Sequence, residues 1–425
     1  MKALVLAGGL PQIDLIEKLK KRGITVILAD YNEYPIAREY ADFFYQVSTL
    51  DINGIRELVK RQDIDFLITV CTDQALLTVA QVSEELGLPC YIDYEIARKA
   101  TNKNYMKEAF AEHDIPTAKY AIIQQQDMER DFEWNYPAIV KPVDCNSSKG
   151  VRKVMNAGEL KEAFEEAQQL SRTQTVLVEE FLAGTELSID AYVENGKAIL
   201  LDITVSEKTS DRNKFIIFRT WHITQIGEGL KSEIMKVTQQ IADAFEVKNA
   251  PMLIQMLTDG CDVHVIEFSV RTGGGVKHLS IQRQAGVDVI DAVIDLTLGT
   301  KPDIQVCKPQ WKYMLDEYIY CNPGIYSHAE GFEELKKTGI ILDYYIFQRK
   351  GAKLREASSS GDRIAGFTIA ADSRKELAEK YIEINRLVRI VSEDGEDLMR
   401  HELLGDLYEE NRFELVEGGE NINAS

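Results

Sequence analysis

Tyr136–Val151 reads YPAIVKPVDCNSSKGV. The run AIV is an apolar strand, yet it ends in Lys141, and a lysine inside such a strand is costly to bury without an anionic partner. Beyond Pro142 the chain turns polar and small, through Asp144, Cys145, Asn146, Ser147, Ser148 and Lys149 to Gly150. Successive backbone N–H groups in a loop of this kind form an anion-binding nest. The stretch therefore describes a site for an anion carrying several charges.

The wider composition limits what that anion can be. The 425 residues carry a formal charge of −20, which opposes nucleic acid or an anionic membrane as a partner, so an anionic ligand needs a local basic pocket. The opening MKALVLAGGLPQ has too short an apolar run for a signal peptide, and no run approaches membrane-spanning length, so a cytoplasmic protein is expected. The cysteines at 71, 90, 145, 261, 307 and 321 follow no CxxC or Cys/His metal spacing and read as reduced thiols.

Upstream, residues 1–100 alternate in the α/β manner. ALVLAG, TVILAD, DFLITV and CYI read as strands, with helices over PQIDLIEKLKKRG, INGIRELVKRQ and Asp73–Leu86. This order predicts a doubly wound parallel sheet. The first turn, AGGLPQ, is not G-x-G-x-x-G, so the dinucleotide fingerprint is absent. Residues 101–302 change to an α+β pattern with antiparallel strands, including a hairpin turning at Asp259–Gly260. Residues 303–410 predict a small α+β lobe of strand, strand and helix, and 411–425 an acidic, disordered tail.

Lys103 before DIPTAKY, YPAIVKP with its loop, VLVEEFLAGTELSID, and a hairpin closing in VIEFSVRTGGG occur in an order that resembles the ATP-grasp superfamily. The similarity is greatest to the branch holding the carbamoyl-phosphate synthetase large subunit, biotin carboxylase-like enzymes and L-amino-acid ligases. It implies a pre-ATP-grasp domain, an ATP-grasp domain and a C-terminal lobe, with ATP and Mg²⁺ (or Mn²⁺) as cofactors. The C-terminal lobe resembles lobes that often dimerise, which leaves a homodimer open.

Carried over residue by residue, the resemblance makes Lys103 and Lys141 a clamp for a triphosphate, with Ser147, Ser148, Lys149 and Gly150 around the phosphates. Glu179, Glu180, Phe181 and Leu182 match the strand that meets adenine, and Glu186 the carboxylate on the ribose hydroxyls. Gln255, Glu267 and Ser269 occupy the metal positions, where many relatives carry two carboxylates and an Asn. Arg271 matches the arginine facing the γ-phosphate and the reacting carboxylate.

Gly273 and Gly274 leave backbone open to a substrate. The basic stretch Ser206–Thr224 suggests a substrate loop with Lys214, Arg219 and His222 holding a carboxylate, and His278 is a further candidate on the acceptor side. The expected activity is a carboxylate–amine (or carboxylate–thiol) ligase working through an acyl phosphate and releasing ADP and phosphate, an amino-acid or dipeptide ligase among the options. A carbamoyl-phosphate or carboxylase type using bicarbonate, and a nucleotide-binding module without ligase activity, remain as rivals.

Overall fold

The computed structural model describes residues 1–128, 133–145, 150–209 and 216–403, together with the backbone of 414–415. The N-terminal part is built from β1 (Lys2–Leu6), α1 (Leu10–Lys21), β2 (Thr25–Asp30), β3 (Phe43–Gln46), α2 (Ile52–Gln62), β4 (Phe66–Ile68) and α3 (Asp73–Leu86). Its four strands are parallel in the order β3-β2-β1-β4. Strands β1, β2 and β4 are buried on both faces, as their apolar runs require, while β3 is a more exposed edge. Leu15, Ile16 and Leu19 of α1 pack on one side, and Ile55, Leu58, Ala75 and Val79 of α2 and α3 on the other. Residues 90–92, read as a strand, are irregular instead: they carry the chain away from α3, and the Tyr91 hydroxyl donates to the Val270 carbonyl at 3.0 Å.

Two short helices follow, α4 (Tyr94–Thr101) and α5 (Lys103–Glu112), then β5 (Tyr120–Ile123), the single turn α6 (Gln125–Met128), β6 (Ala138–Pro142), β7 (Arg152–Val154), α7 (Ala157–Leu170) and β8 (Val176–Glu180). The strands form an antiparallel sheet in the order β5-β8-β6-β7. Period-two alternation decides what each face does. Ala138 and Val140 turn toward Leu160, Ala163 and Phe164 of α7, so Ile139 and Lys141 face the other way.

The chain continues through β9 (Thr185–Glu194), β10 (Lys197–Thr209), β11 (Ile216–His222), β12 (Gln225–Ile226), α8 (Glu228–Ala244), β13 (Ala250–Thr258), β14 (Val263–Ser269), α9 (Lys277–Ala285) and α10 (Val289–Thr297). After these come β15 (Tyr313–Ile319), β16 (Gly324–Glu330), α11 (Phe332–Lys337), β17 (Asp343–Ile346), β18 (Lys353–Leu354), β19 (Ala365–Ala371), α12 (Arg374–Leu387), β20 (Arg389–Ser392) and β21 (Glu414–Leu415).

Eight of these strands make one antiparallel sheet, β14-β13-β9-β10-β11-β15-β19-β17, so strands on both sides of residue 302 share a single hydrogen-bonded surface. Its apolar face is covered by Ile234, Val237 and Ile241 of α8 and by Leu377, Tyr381 and Ile384 of α12. The opposite face packs on α9 and α10, with Tyr192 and Leu201 against Ile281, Ala285, Val289 and Ala292. Helix α10 ties the sheet to the N-terminal domain, with Ile290, Val293 and Ile294 in the α1 core and Lys18 held by Asp288 at 2.5 Å and Asp291 at 2.9 Å. Among the described residues no helix is long and apolar enough to cross a membrane.

Candidate active site

Lys141 is 5% exposed and its ammonium pairs with Glu179. Register explains the meeting: β8 lies between β5 and β6, and Glu179 stands opposite Ile139 and Tyr120. The second Glu179 oxygen takes Lys107 Nζ at 2.6 Å, one helical turn along α5 from Lys103. Burial alone would raise the Glu179 carboxyl, but Lys141 and Lys107 outweigh it and hold the group at about 2. Burial, aided by Lys141, lowers Lys107 against the pull of Glu179. Lys107 also donates to Thr117 Oγ1, which in turn donates to the Val265 carbonyl at 2.7 Å.

Lys103 opens α5 behind Asn102, whose side chain caps the Asn104 N–H. Its ammonium lies 3.0 Å from Glu267 Oε2 and donates to the Cys145 carbonyl at 2.9 Å, so it touches both the β13–β14 hairpin and the chain just after β6. Burial opposes the Lys103 charge, yet Glu267 raises its pKa above the usual value; the same pairing keeps Glu267 below the usual carboxylate range despite its burial.

Lys103, Lys141, Cys145, Glu179 and Glu267 line a cavity of about 200 Å³ with Glu180, Phe181, Leu182, Glu186, Lys208, Gln255 and Leu257. Its mouth at Phe181 is fixed by backbone bonds, Glu180 N–H to the Lys119 carbonyl at 2.9 Å and Phe181 N–H to the Pro137 carbonyl at 3.1 Å. Gly184 makes the turn into β9 at φ 154°, where a Cβ would stand 2.6 Å from the Thr258 carbonyl oxygen, so only glycine fits. Glu186 then faces the cavity, held by Lys208 Nζ at 2.5 Å and by Gln255 Nε2 at 3.3 Å. Ser147, Ser148 and Lys149 lie outside the described residues. Gly150 is described, at φ 75° with Leu170 and Pro142 packed where a side chain would go.

Of the three expected metal ligands the structure brings two to the cavity. Gln255 and Glu267 are directly opposed across the β13–β14 hairpin, one carboxylate and one amide oxygen. Ser269 is a correction: its hydroxyl donates to Asp73 of α3, so it is engaged away from the metal pair. Among the described residues no three His, Cys, Asp or Glu side chains cluster as a metal centre. Magnesium fits the remaining pair because it keeps few protein ligands and takes the rest from water and phosphate.

Arg271 is held by the same Asp73, its Nε donating to Oδ1 at 2.7 Å and its Nη2 to Oδ2, while Nη1 donates to the Thr272 carbonyl at 2.9 Å. Gly273 donates its N–H to Asp190 Oδ1 at 3.0 Å, and a Cβ there would press on Lys277 and Asp190. Gly274 is open, its nearest neighbour being the Cys71 carbonyl at 4.0 Å.

Arg219 and His222 are corrected, because both are buried among carboxylates. Arg219 Nε reaches Glu317 at 2.6 Å, and its other nitrogens reach Glu207 and Tyr381. His222, with no side-chain exposure, bridges Asp202 at 2.7 Å and Asp316 at 3.1 Å. Burial would lower its pKa, but the two carboxylates carry it up to about 9. Lys214 lies outside the described residues. His278 faces Asp14 of α1 at 2.8 Å and so ties α9 to the N-terminal domain.

Four residues of the site escaped the sequence reading. Lys107 was signalled by its i+4 spacing from Lys103, and Lys208 by the alternation of β10; Asp73 had no local signal. The fourth is Arg363, which lies over the Tyr318 ring at 3.7 Å and donates to the Tyr320 hydroxyl at 3.3 Å. Its Nη1 would be 2.9 Å from a Cβ on Gly275, so it borders the glycine loop, and among the described residues no carboxylate forms an ion pair with it.

Residues 134–279 match the ATP-grasp domain family model. The carbamoyl phosphate synthase large chain of Clostridium acetobutylicum is 24% identical over 289 residues, 66% of this chain but only 26% of its own length. The formate-dependent phosphoribosylglycinamide formyltransferase of Prochlorococcus marinus is 23% identical over 390 residues, 89% of this chain and 96% of that protein. Among solved structures, the L-amino acid ligase of Bacillus licheniformis superposes with a TM-score of 0.76 at 19% identity, covering 92% of this chain and 99% of that one, a likeness of fold. The chain therefore carries an ATP-grasp domain over residues 134–279, set between a parallel-sheet N-terminal domain and strands that extend its own large sheet.

Proposed function

We propose that the protein is an ATP-dependent ligase that joins a carboxylate to an amine through an acyl phosphate, releasing ADP and phosphate. The observation that carries this reading is the pair of buried ammoniums at the cavity, Lys103 held by Glu267 and Lys141 held by Glu179, with Lys107 behind Glu179, a fixed cationic pair suited to a polyphosphate. Glu179 keeps Lys107 and Lys141 oriented, and Lys103 and Lys141 neutralise phosphate oxygens. Glu186 suits a ribose diol, and the backbone beside Phe181 a purine edge.

Gln255 and Glu267 would hold Mg²⁺ (or Mn²⁺), which supplies charge neutralisation on the phosphates when bound. The donor carboxylate oxygen attacks the γ-phosphorus and the bond to the ADP oxygen breaks. Arg271 meets the charge that develops on the transferred group. The amine then attacks the acyl carbon, and phosphate leaves. Arg363, beside the glycine loop and lacking a carboxylate partner among the described residues, suits the anchoring of a substrate carboxylate. The relatives differ by name in what they join, so the donor and acceptor belong to the test.

The test supplies MgATP and each of the twenty L-amino acids with hydroxylamine as the amine, and identifies the nucleotide product. Hydroxamate with ADP is the expected result. AMP with pyrophosphate overturns the mechanism, and ADP formed only with bicarbonate moves the assignment to carbamoyl-phosphate or carboxylase chemistry.

A further inference from the structure

We infer that Asp73, supplied by the N-terminal parallel-sheet domain, is the positioning residue for Arg271, and that Ser269 serves this pairing. The inference rests on the ligase reading above. Asp73 is the first residue of α3, where the helix N-terminus favours a carboxylate. The turn that delivers it puts Cys71 at φ 58°, a left-handed conformation that a residue with a Cβ adopts at some cost. Although burial would raise the Asp73 carboxyl, Arg271 and Ser269 hold it below the usual range, so it stands as an anion.

Geometry separates positioning from blocking. A guanidinium has five N–H groups. Asp73 takes the Nε/Nη2 edge and the Thr272 carbonyl takes one N–H of Nη1, which leaves one N–H on each Nη directed away from Asp73. A fork fixed on one edge presents the other without having to reorganise when charge develops. Ser269 donates to the same Asp73 oxygen that receives Arg271 Nε, which limits rotation of the carboxylate. The serine that stands at a metal position by resemblance thus acts on the arginine instead. Asp73 and Arg271 come from different domains, so the catalytic fork is complete only while the two are docked.

The test combines Asp73→Asn, Arg271→Ala and the double variant in the hydroxamate assay, with MgATP affinity measured by calorimetry. Asp73→Asn should lower hydroxamate turnover roughly 10- to 100-fold, the scale seen when a residue that orients a reacting group is lost, with ATP affinity unchanged. In the Arg271→Ala background the same change should cost nothing more, whereas a residue that merely supported the fold would subtract again. If Asp73→Asn fails to fold, Ser269→Ala reports instead, with an expected fall of roughly 3- to 10-fold that also vanishes without Arg271. Hydroxamate formation by the wild type that Asp73→Asn or Ser269→Ala leaves unchanged overturns the inference alone. A wild type that forms no hydroxamate with any of the twenty amino acids overturns the ligase reading and this inference with it.

Discussion

Lys107 Nζ stands 2.6 Å from Glu179 Oε1, both side chains almost fully buried, while the other Glu179 oxygen serves Lys141. One carboxylate therefore supports two ammoniums, and only Lys141 of the pair lines the cavity. Glu179→Gln keeps the shape and removes the charge. Removing one partner of a buried pair costs on the order of 3–5 kcal/mol, and here two lysines are left without their anion. Denaturant unfolding should fall by about that amount, and ATP affinity should weaken as Lys141 reorients. A variant as stable as the wild type would mean that water reaches these lysines.

Lys141→Ala should behave differently. It leaves Glu179 paired with Lys107, so the fold persists, while the cavity loses one positive charge. We expect ATP affinity to drop roughly 10-fold or more, the scale of one charge-assisted hydrogen bond. Unchanged affinity by calorimetry would remove Lys141 from the nucleotide site.

Cys145 lies on the cavity wall and invites a nucleophilic role. Its carbonyl, however, is what Lys103 uses, and its thiol donates to the Leu170 carbonyl at 3.4 Å. Cys145→Ser should keep most of the hydroxamate turnover. Complete loss would show that a covalent intermediate had been missed.

The His222 bridge predicts a pH dependence of stability. Its folded pKa of about 9 lies above the ordinary value of 6.5, so the protonated ring stabilises the fold fully below about pH 6.5. That contribution is lost as pH rises through 9. The midpoint of urea unfolding should fall by an amount equivalent to a few kcal/mol across this window, and His222→Gln should remove that part of the slope. Parallel curves for the two proteins would show that the ring is neutral throughout.

The parallel sheet, the ATP-grasp strands and the Asp259–Gly260 hairpin were legible because each rests on local signals: apolar period, flanking glycine or proline, strand length. Lys141 stood out for a related reason, since a lysine ending an apolar run is visible locally, whereas Lys103 and Glu267 were picked out by resemblance alone; the structure places all three at one cavity. Arg219 and His222 were misread because their partners Glu317 and Asp316 are 98 and 94 residues away, so a basic stretch looked solvated when it was compensated at long range. Ser269 was misread on the same ground: Asp73 is 196 residues upstream and belongs to another domain. Strand β16 was missed because GIYSHAE alternates weakly and pairs at both ends with short strands, β18 and β20.

The eight-stranded sheet has a consequence for anyone recombining this protein with its relatives. A cut at residue 302 looks like a clean seam in the linear chain, but it would strip β15, β19 and β17 from the sheet and expose β11 as a raw edge, with the Arg219–Glu317 and His222–Asp316 pairs severed. A bare strand edge is an invitation to aggregate. The smallest unit that can be exchanged without opening the sheet is therefore the entire stretch from β9 to β19.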